Sequence, residues 1–325
     1  MNIFRSIFLA SALSLSVSSL AQHHDAGTQE QAANVFITLG TNGGPEATHN
    51  RSQPANALLV GKELYLVDAG DGAGAQLVKA GYRLPQIKGI FLSHLHFDHT
   101  GGMLALLGQR MQLNARNKLS IYGPPGTKAF IDGLLAAMEG PREAAYGMPR
   151  QEWSANVEVQ ELVHGVVVEL DGVSVISAEN SHFKIPEASG APEKAKALSF
   201  RFDLEDRSIV YTGDTGPSEA VEELAKGADL LVIEMMDIPA VLANVRAHNP
   251  DAPKKMMDGI EWHFRAHHLL PIQVGEMGAG ADAKRLVVTH MVPNITDEAM
   301  AQRYTSEIAK AFKGEIVIAS DLERF

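Results

Sequence analysis

Four metal-binding side chains lie within six consecutive residues of this sequence: His94, His96, Asp98 and His99. They directly follow residues 89–93, a short apolar run typical of a buried strand. Side chains two residues apart on an extended chain point the same way, so the first two histidines converge on one ion. Asp98 and His99 then reach a second ion where the chain turns. Because imidazole and carboxylate are ordinary zinc ligands, the run predicts two divalent ions and a metal-dependent hydrolase.

One motif cannot fill two coordination spheres, so the rest of the chain must supply further ligands. His182, Asp214 and His290 each follow a segment with the apolar pattern of a strand. These segments are 173–177, 208–212 and 286–289. An acid able to bridge two ions is thus accompanied by two further histidines. A histidine-rich surface loop or an adventitious metal tag, such as His23 and His24 near the amino terminus, would have no such partners.

Strand and helix patterns alternate from residue 34 to the end of the chain. The predicted fold class is α+β, with two mixed β-sheets flanked by helices in one domain over residues 34–325. Helices are predicted at 127–138, 253–267, 271–278 and 296–312. Residues 139–155 are rich in glycine, proline and charge, and are predicted to form a surface excursion or lid. The sequence leaves open whether the protein forms a homodimer.

The amino terminus has the pattern of a secretory signal peptide. Residues 1–5 carry one positive charge, residues 7–20 are apolar or serine without any charge, and small residues precede Gln22. Cleavage is expected after Ala21, leaving a flexible segment over residues 22–33 and a periplasmic or secreted protein. An uncleaved anchor is the alternative, but roughly 14 apolar residues are short for a membrane span, which needs about 20. No membrane span is expected after cleavage.

Charge and cysteine content narrow the partners and the ligands. The formal net charge is −11, and no basic run offsets it, so a nucleic-acid partner is not expected. The chain has no cysteine, so it forms no disulfides and any zinc site must use histidine and carboxylate. Iron or manganese would also suit such ligands.

With these ligands the chain resembles the metallo-β-lactamase superfamily, and within it the branch of ribonuclease Z and secreted arylsulfatase-like enzymes. The resemblance covers roughly residues 34–320 and implies a four-layer αββα sandwich. Beside the metal motif it rests on Leu39 to Thr41, Val67 to Gly72, Ile121 to Pro124, Tyr211 to Thr215 with Leu230 to Glu234, and Leu286 to His290.

The resemblance also implies how the metal site is built. His94, His96 and His182 would hold one zinc ion, Asp98, His99 and His290 the other, and Asp214 would bridge both. A hydroxide between the two ions would be the nucleophile, and Asp98 could also orient it.

A general acid follows from the same resemblance. In the ribonuclease Z branch, a histidine 22 residues before the last metal ligand pairs with a glutamate and protonates the leaving group, which points here to His268 and Glu234. That family carries His-Ser-Thr at this position, whereas this chain continues from His268 with Leu269 and Leu270.

Four other side chains have weaker signals. His49 follows the first strand and is a candidate for substrate contact. His263 and His267 lie four residues apart on a predicted helix, so they either form another metal site or are partly exposed helix residues. Asp68 is predicted to stabilise a turn beside the metal loop.

The metal site does not decide among β-lactams, lactones, thioesters, phosphodiesters and sulfate esters, because the surrounding pocket selects the substrate. True ribonuclease Z grips tRNA with a long arm between the positions of His182 and Asp214, where this chain has only residues 183–213. The missing arm, the acidic chain and the predicted export argue against tRNA and favour a small-molecule ester.

The preferred function is therefore arylsulfatase-like hydrolysis of sulfate esters. The alternative is a phosphodiesterase acting on small phosphodiesters. A lactonase or β-lactamase ranks third, because residues 179–183 lack the Gly-His-Thr-Pro-Gly type of segment found in lactonases. A non-catalytic metal-binding scaffold is disfavoured by the complete ligand set.

Overall fold

The structure, a computed structural model, describes residues 34–144, 153–186 and 195–325. These described residues belong to one compact unit. The predicted signal peptide (1–21), the predicted flexible segment (22–33) and the middle of the predicted lid lie outside the described residues. Export and the lid therefore stay predictions. None of the helices in the described ranges is long and apolar enough to cross a bilayer.

Two mixed sheets form the centre of the fold, as predicted, and each has seven strands. The first contains β1 (Asn34–Gly40), β2 (Ala55–Val60), β3 (Glu63–Ala69), β4 (Ile87–Phe91), β5 (Leu119–Gly123), β6 (Val157–Glu161) and β14 (Glu323–Arg324). The second contains β7 (Val167–Leu170), β8 (Val173–Glu179), β9 (Leu198–Leu204), β10 (Ser208–Tyr211), β11 (Leu230–Met236), β12 (Arg285–Val292) and β13 (Glu315–Ile318). The strand orders are β14-β1-β2-β3-β4-β5-β6 and β13-β12-β11-β10-β9-β8-β7.

Each sheet is antiparallel on one side and parallel on the other. The strands β1 to β3 and β7 to β10 pair antiparallel, while β3 to β6 and β10 to β13 pair parallel. The predicted turn Asp171-Gly172 joins β7 to β8, and Gly172 has a φ of 78°, which a residue without Cβ adopts freely. Parallel strands end at a common edge, and the candidate site lies beyond those ends.

Helices flank the two sheets. They are α1 (Ala73–Lys79), α2 (Phe97–Thr100), α3 (Met103–Gln112), α4 (Thr127–Ala137), α5 (Glu139–Glu143), α6 (Glu219–Leu224), α7 (Ile238–His248), α8 (Lys254–His267), α9 (Pro271–Gly280) and α10 (Glu298–Ile308). Successive strand residues face opposite sides, so Phe36 enters the core between the sheets and Ile37 packs in the cluster beneath α1, α3 and α4. On the second sheet, Val232 faces the core between the sheets and Ile233 packs in the cluster on the other face. The layers are those of the predicted αββα sandwich.

The core between the sheets anchors the strand that precedes the metal motif. Phe91, at the end of β4, stacks on Tyr122 with ring centroids 4.6 Å apart. Its ring also meets Phe200 and Phe202 edge-on, at 5.5 and 5.4 Å. Aromatic pairs of this kind contribute about 0.5–1.5 kcal/mol each beyond the area they bury. The motif therefore starts from a fixed strand end.

Seven of the described helices and strands were not predicted: α2, α3, α5, α6, α7, β6 and β14. The sequence does carry a start signal for α7, because Asp237 accepts a hydrogen bond from the backbone N–H of Ala240 and a proline opens the helix. The predicted surface excursion at 139–155 is partly regular, since it begins with α5 and ends in a short 3₁₀ turn at Trp153–Asn156.

Candidate metal centre

The seven predicted metal ligands converge at the edge where strands of both sheets end. His94 to His99 follow β4 in the first sheet. In the second sheet, His182 follows β8, Asp214 follows β10 and His290 lies in β12. The structure groups them as two sets that share Asp214, the first with His94, His96 and His182, the second with Asp98, His99 and His290. In each set the possible ligand atoms lie within 4.8 Å of one another.

In the first ligand group, three imidazole nitrogens face a common point. Nδ1 of His96 lies 3.0 Å from Nε2 of His94 and 3.2 Å from Nε2 of His182. Oδ2 of Asp214 lies 3.9 Å from both of those Nε2 atoms. His94, His182 and Asp214 are buried, whereas His96 is exposed at the opening of the site.

In the second ligand group, two imidazoles and two carboxylates meet. Oδ1 of Asp214 lies 3.2 Å from Nε2 of His99 and 3.1 Å from Nε2 of His290. Oδ2 of Asp98 lies 3.4 Å and 3.3 Å from the same two nitrogens. Asp214 thus turns one oxygen to each group, which is the geometry of a bridging ligand.

The residues present fit a pair of divalent ions. Nε2 of His99 and Oδ1 of Asp214 are buried and have no hydrogen-bond partner among the described residues. Leaving a buried polar atom unpaired costs about 1–3 kcal/mol, more if it is charged, and a metal ion would satisfy both atoms at once. Ligands about 2.0–2.2 Å from a tetrahedral zinc ion lie about 3.3 Å apart, close to the separations observed here.

Asp68 connects the two ligand groups from behind. Its Oδ2 accepts hydrogen bonds from Tyr211 Oη and Ser93 Oγ and lies 2.7 Å from Nδ1 of His99. Oδ1 accepts from the backbone N–H of Ser93, and Ser93 Oγ lies 3.0 Å from Nδ1 of His94. Asp68 therefore orients one candidate ligand of the second group directly and one of the first group through Ser93. A supporting role beside the metal loop was predicted for it, through the stabilisation of a turn.

Opposite charges inside the centre shift its titrating groups in opposite directions. Burial opposes ionisation of Asp98 and Asp214, but the neighbouring histidines outweigh it and lower the pKa of both. Burial also opposes the charge on His99 and His290, yet the Asp214 carboxylate raises the pKa of both imidazoles. Burial lowers the pKa of His182 to about 3. Since metal ligands must be unprotonated, binding of an ion in the second group releases protons.

Glu234 and His268 form the predicted pair. Nδ1 of His268 lies 2.9 Å from Oε1 of Glu234, and the backbone N–H of Thr215 donates to the same oxygen at 3.0 Å. Burial opposes the charge on His268, but the Glu234 carboxylate raises its pKa. Burial raises the pKa of Glu234 as well, so the pair retains one proton tightly. Leu269, where the family has serine, is buried in the core and its carbonyl accepts from Met236 N–H, so this departure leaves the pair intact.

The other predicted residues lie around this centre. The loop that carries His49 reaches the centre through Gly44, whose N–H donates to Oδ2 of Asp98 at 3.0 Å. His49 itself is exposed, and its substrate contact stays a prediction. His263 and His267 lie on α8, and the carbonyl of His267 is 3.1 Å from Nδ1 of His182.

Sequence reasoning missed Ser93, Tyr211 and an exposed aromatic ring. Phe97 stands between two metal ligands in the chain and is 77% exposed. Phe183, directly after His182, has its ring centroid 4.9 Å from that of His96. The sequence signal that could have identified Phe97 and Phe183 was their position next to predicted metal ligands.

A family model described as a beta-lactamase superfamily domain matches residues 64–291. The chain belongs to the metallo-β-lactamase superfamily. This superfamily hydrolase is 29% identical over 306 residues to a ribonuclease Z of Brevibacillus brevis, with 81% of this chain and 87% of that relative covered. In fold it is similar to the metallo-β-lactamase fold protein YhfI of Bacillus subtilis, with a TM-score of 0.65, 18% identity, and 90% and 98% of the two chains covered. It is also similar to the short form of human tRNase Z, with a TM-score of 0.61, 20% identity, and 90% and 98% covered.

These similarities confirm four predictions. The superfamily, its ribonuclease Z branch and the αββα fold are as expected. The superfamily member is a metal-dependent hydrolase of ester bonds.

The predicted substrate class is wrong. A relative that aligns with 81% of this chain is named ribonuclease Z, not sulfatase, which contradicts both the arylsulfatase-like function and the expectation of a small-molecule ester without nucleic acid. The net charge of −11 is a sum over the whole chain and does not describe the field inside one cleft. The missing arm was argued from residues 183–213, of which 187–194 lie outside the described residues.

Proposed function

We propose that this chain is a binuclear zinc phosphodiesterase of the ribonuclease Z kind, which cleaves a phosphodiester bond in RNA. The observation that carries the proposal is the arrangement of two complete ligand groups around one shared carboxylate, Asp214. The similarity to a relative named ribonuclease Z is the reason for proposing a phosphodiester as the bond that is cleaved. Zinc is favoured because the available donors are imidazole and carboxylate at tetrahedral spacing.

Two bound ions would supply electrostatic stabilisation of the attacking and leaving oxygens of the displaced phosphodiester. The seven ligands would hold them, with Asp68 and Ser93 fixing the rings of His99 and His94. Asp98 stays ionised because its neighbouring histidines lower its pKa. Its carboxylate can therefore accept a hydrogen bond from an attacking water and orient it.

His268 is placed to protonate the leaving oxygen. Its Nδ1 faces Glu234, so its Nε2 is the nitrogen left to donate. The ring lies beside the metal ligands, with its centroid 5.0 Å from that of His182 and 6.4 Å from that of His290. Since Glu234 raises the pKa of His268, the ring retains the proton that a general acid needs.

Replacing His268 with alanine is expected to slow phosphodiesters with alkoxide leaving groups by about 10²-fold or more, the usual contribution of a general acid. Bis(4-nitrophenyl) phosphate should be affected much less, because 4-nitrophenolate leaves without protonation. The measurement is kcat for both substrates, with His248→Ala on the exposed end of α7 as the control. An equal loss on both substrates would rule out the general-acid role.

Replacing Glu234 with glutamine is expected to move the alkaline limb of the pH profile to lower pH. Activity depends on protonated His268 and falls as the pH rises through its pKa, which the adjacent carboxylate raises. Removing an opposite charge at this range should lower that pKa by about 1–3 units. The profile of kcat is measured with an alkoxide leaving group, and a 4-nitrophenolate leaving group should show no such shift. An unchanged limb with the alkoxide would contradict the pairing.

The proposal is tested with zinc-loaded full-length protein against an RNA carrying a 3′ extension, bis(4-nitrophenyl) phosphate and 4-nitrophenyl sulfate. We expect RNA cleavage and phosphodiester hydrolysis, and no sulfate hydrolysis above background. The second candidate is the alternative drawn from the sequence, a phosphodiesterase of small phosphodiesters, because the same two ligand groups would serve either phosphodiester. That candidate gains support if the diaryl phosphate is hydrolysed and the RNA is not. Sulfate turnover without phosphodiester turnover would contradict both.

A further inference from the structure

Two histidines on α8 face each other at the edge of the metal centre. His263 and His267 lie four residues apart, so one face of the helix carries both. Their Nδ1 atoms are 2.9 Å apart, and the two rings cross at 78°. In the first ligand group, Nδ1 of His96 lies 3.0 and 3.2 Å from the facing nitrogens of His94 and His182. The pair therefore has nearly the spacing of nitrogens placed to share one ion.

A backbone carbonyl orients the ring of His267, in the same way that carbonyls commonly orient metal-binding histidines. Its Nε2 lies 3.1 Å from the carbonyl oxygen of Lys184. A carbonyl oxygen only accepts, so Nε2 carries the hydrogen and Nδ1 presents a lone pair toward His263. Ligating histidines usually donate their other ring N–H in this way. His182 is oriented alike, with Nδ1 3.1 Å from the carbonyl oxygen of His267 and Nε2 in the first ligand group.

His263 can supply the second lone pair. Its side chain is exposed, so Nε2 can carry the hydrogen and bond to water while Nδ1 faces His267. Partial burial, helped by the neighbouring His267, holds the pKa of His263 at about 4, so the ring is neutral at pH 7. Without an ion, one Nδ1 must donate a hydrogen to the other at this distance. A divalent cation would replace that hydrogen and bind both nitrogens.

We propose that His263 and His267 bind a third divalent ion, zinc or a metal with similar ligand preference, with water completing its coordination. Within the described ranges no further histidine or carboxylate joins the pair to form a three-ligand group. Two imidazoles hold an ion more weakly than the four-ligand groups, so this site fills last as zinc rises. Because the carbonyl of His267 orients His182, the third ion adjoins the centre that performs the proposed reaction.

The test counts zinc ions bound by the full-length protein in equilibrium dialysis at increasing free zinc. We expect two ions to bind first and a third to follow, and His263→Ala to lose only the third. Trp262 is a built-in reporter, because its ring centroid lies 5.5 Å from that of His267. Its fluorescence should change during the third binding event in the unaltered protein and in the control His248→Ala, but not in His263→Ala.

Three outcomes would overturn the site. Saturation at two ions would do so, as would a third ion retained by His263→Ala. A third ion lost only when His23 and His24 are both replaced by alanine would assign it to the amino-terminal segment instead. Binding of fewer than two tight ions is a different failure, because it would contradict the binuclear centre while the late, His263-dependent event could still be observed.

Discussion

Replacing Asp214 with alanine is expected to abolish phosphodiester hydrolysis and to lower the bound metal. Among the residues that the structure describes, Asp214 is the one side chain that belongs to both ligand groups, with Oδ2 directed to the first and Oδ1 to the second. Removing it would disrupt both proposed ion sites, so kcat/KM should fall by more than the factor of about 10²–10³ that follows loss of one transition-state donor. Metal content by mass spectrometry and turnover of bis(4-nitrophenyl) phosphate are measured together.

The matched control for Asp214 is Asp132→Ala, an exposed aspartate on α4 that lies in an ion pair with Lys128. It should leave metal content and turnover unchanged. Circular dichroism establishes that the Asp214 variant is folded. A folded Asp214→Ala protein with normal turnover would contradict the bridging role.

Replacing Asp68 with asparagine is expected to weaken zinc binding by about 10–100-fold, the usual effect of losing a partner that orients a metal ligand. Asp68 contacts His99, Ser93 and Tyr211 through its carboxylate, and an amide cannot accept all of these hydrogen bonds. Its φ of 60° is a left-handed conformation that asparagine tolerates, so the substitution tests the carboxylate rather than the backbone.

Zinc affinity of the Asp68 variant is measured by competition with a chelator. Asp282→Asn is the matched control, because Asp282 is exposed and also has a positive φ, of 50°. We expect the control to bind zinc as the unaltered protein does. Equal affinities in the Asp68 variant and the control would mean that Asp68 has no part in holding the ligands.

The clustering of the seven candidate ligands could be predicted because each of them lies at or near a strand end that is readable from local pattern. The strand before His94 and those before His182, Asp214 and His290 are short apolar runs, and the structure has them within a few residues of the predicted positions. Parallel strands then bring their ends together. The pair of Glu234 and His268 was predicted from the family resemblance. The two side chains lie within hydrogen-bond distance, although this chain has Leu269 where the family has serine.

The hydrogen bonds that orient the candidate ligands could not be predicted from local sequence pattern. Tyr211 reaches Asp68 across 143 residues, and the carbonyl of His267 reaches His182 across 85. No periodicity in the sequence signals such contacts, because they arise only when the two sheets pack. The exposure of Phe97 could not be predicted either, because it depends on how α2 packs against the rest of the fold.

The substrate prediction failed for a different reason. Imidazole and carboxylate ligands are equally compatible with sulfate and phosphate esters, so the choice rested on total charge, predicted export and chain length between two ligands. None of these describes the walls of the cleft, and substrate choice depends on those walls. The relative named ribonuclease Z corrected it.

The central claim is that two ions bridged by Asp214 form the centre that hydrolyses a phosphodiester. The most direct test is the activity of chelator-stripped, full-length protein on bis(4-nitrophenyl) phosphate as zinc is added in measured steps. We expect no turnover without metal, a rise to a plateau at two ions per chain, and no further gain when a third ion binds. Turnover in the stripped protein, or full activity at one ion per chain, would contradict it.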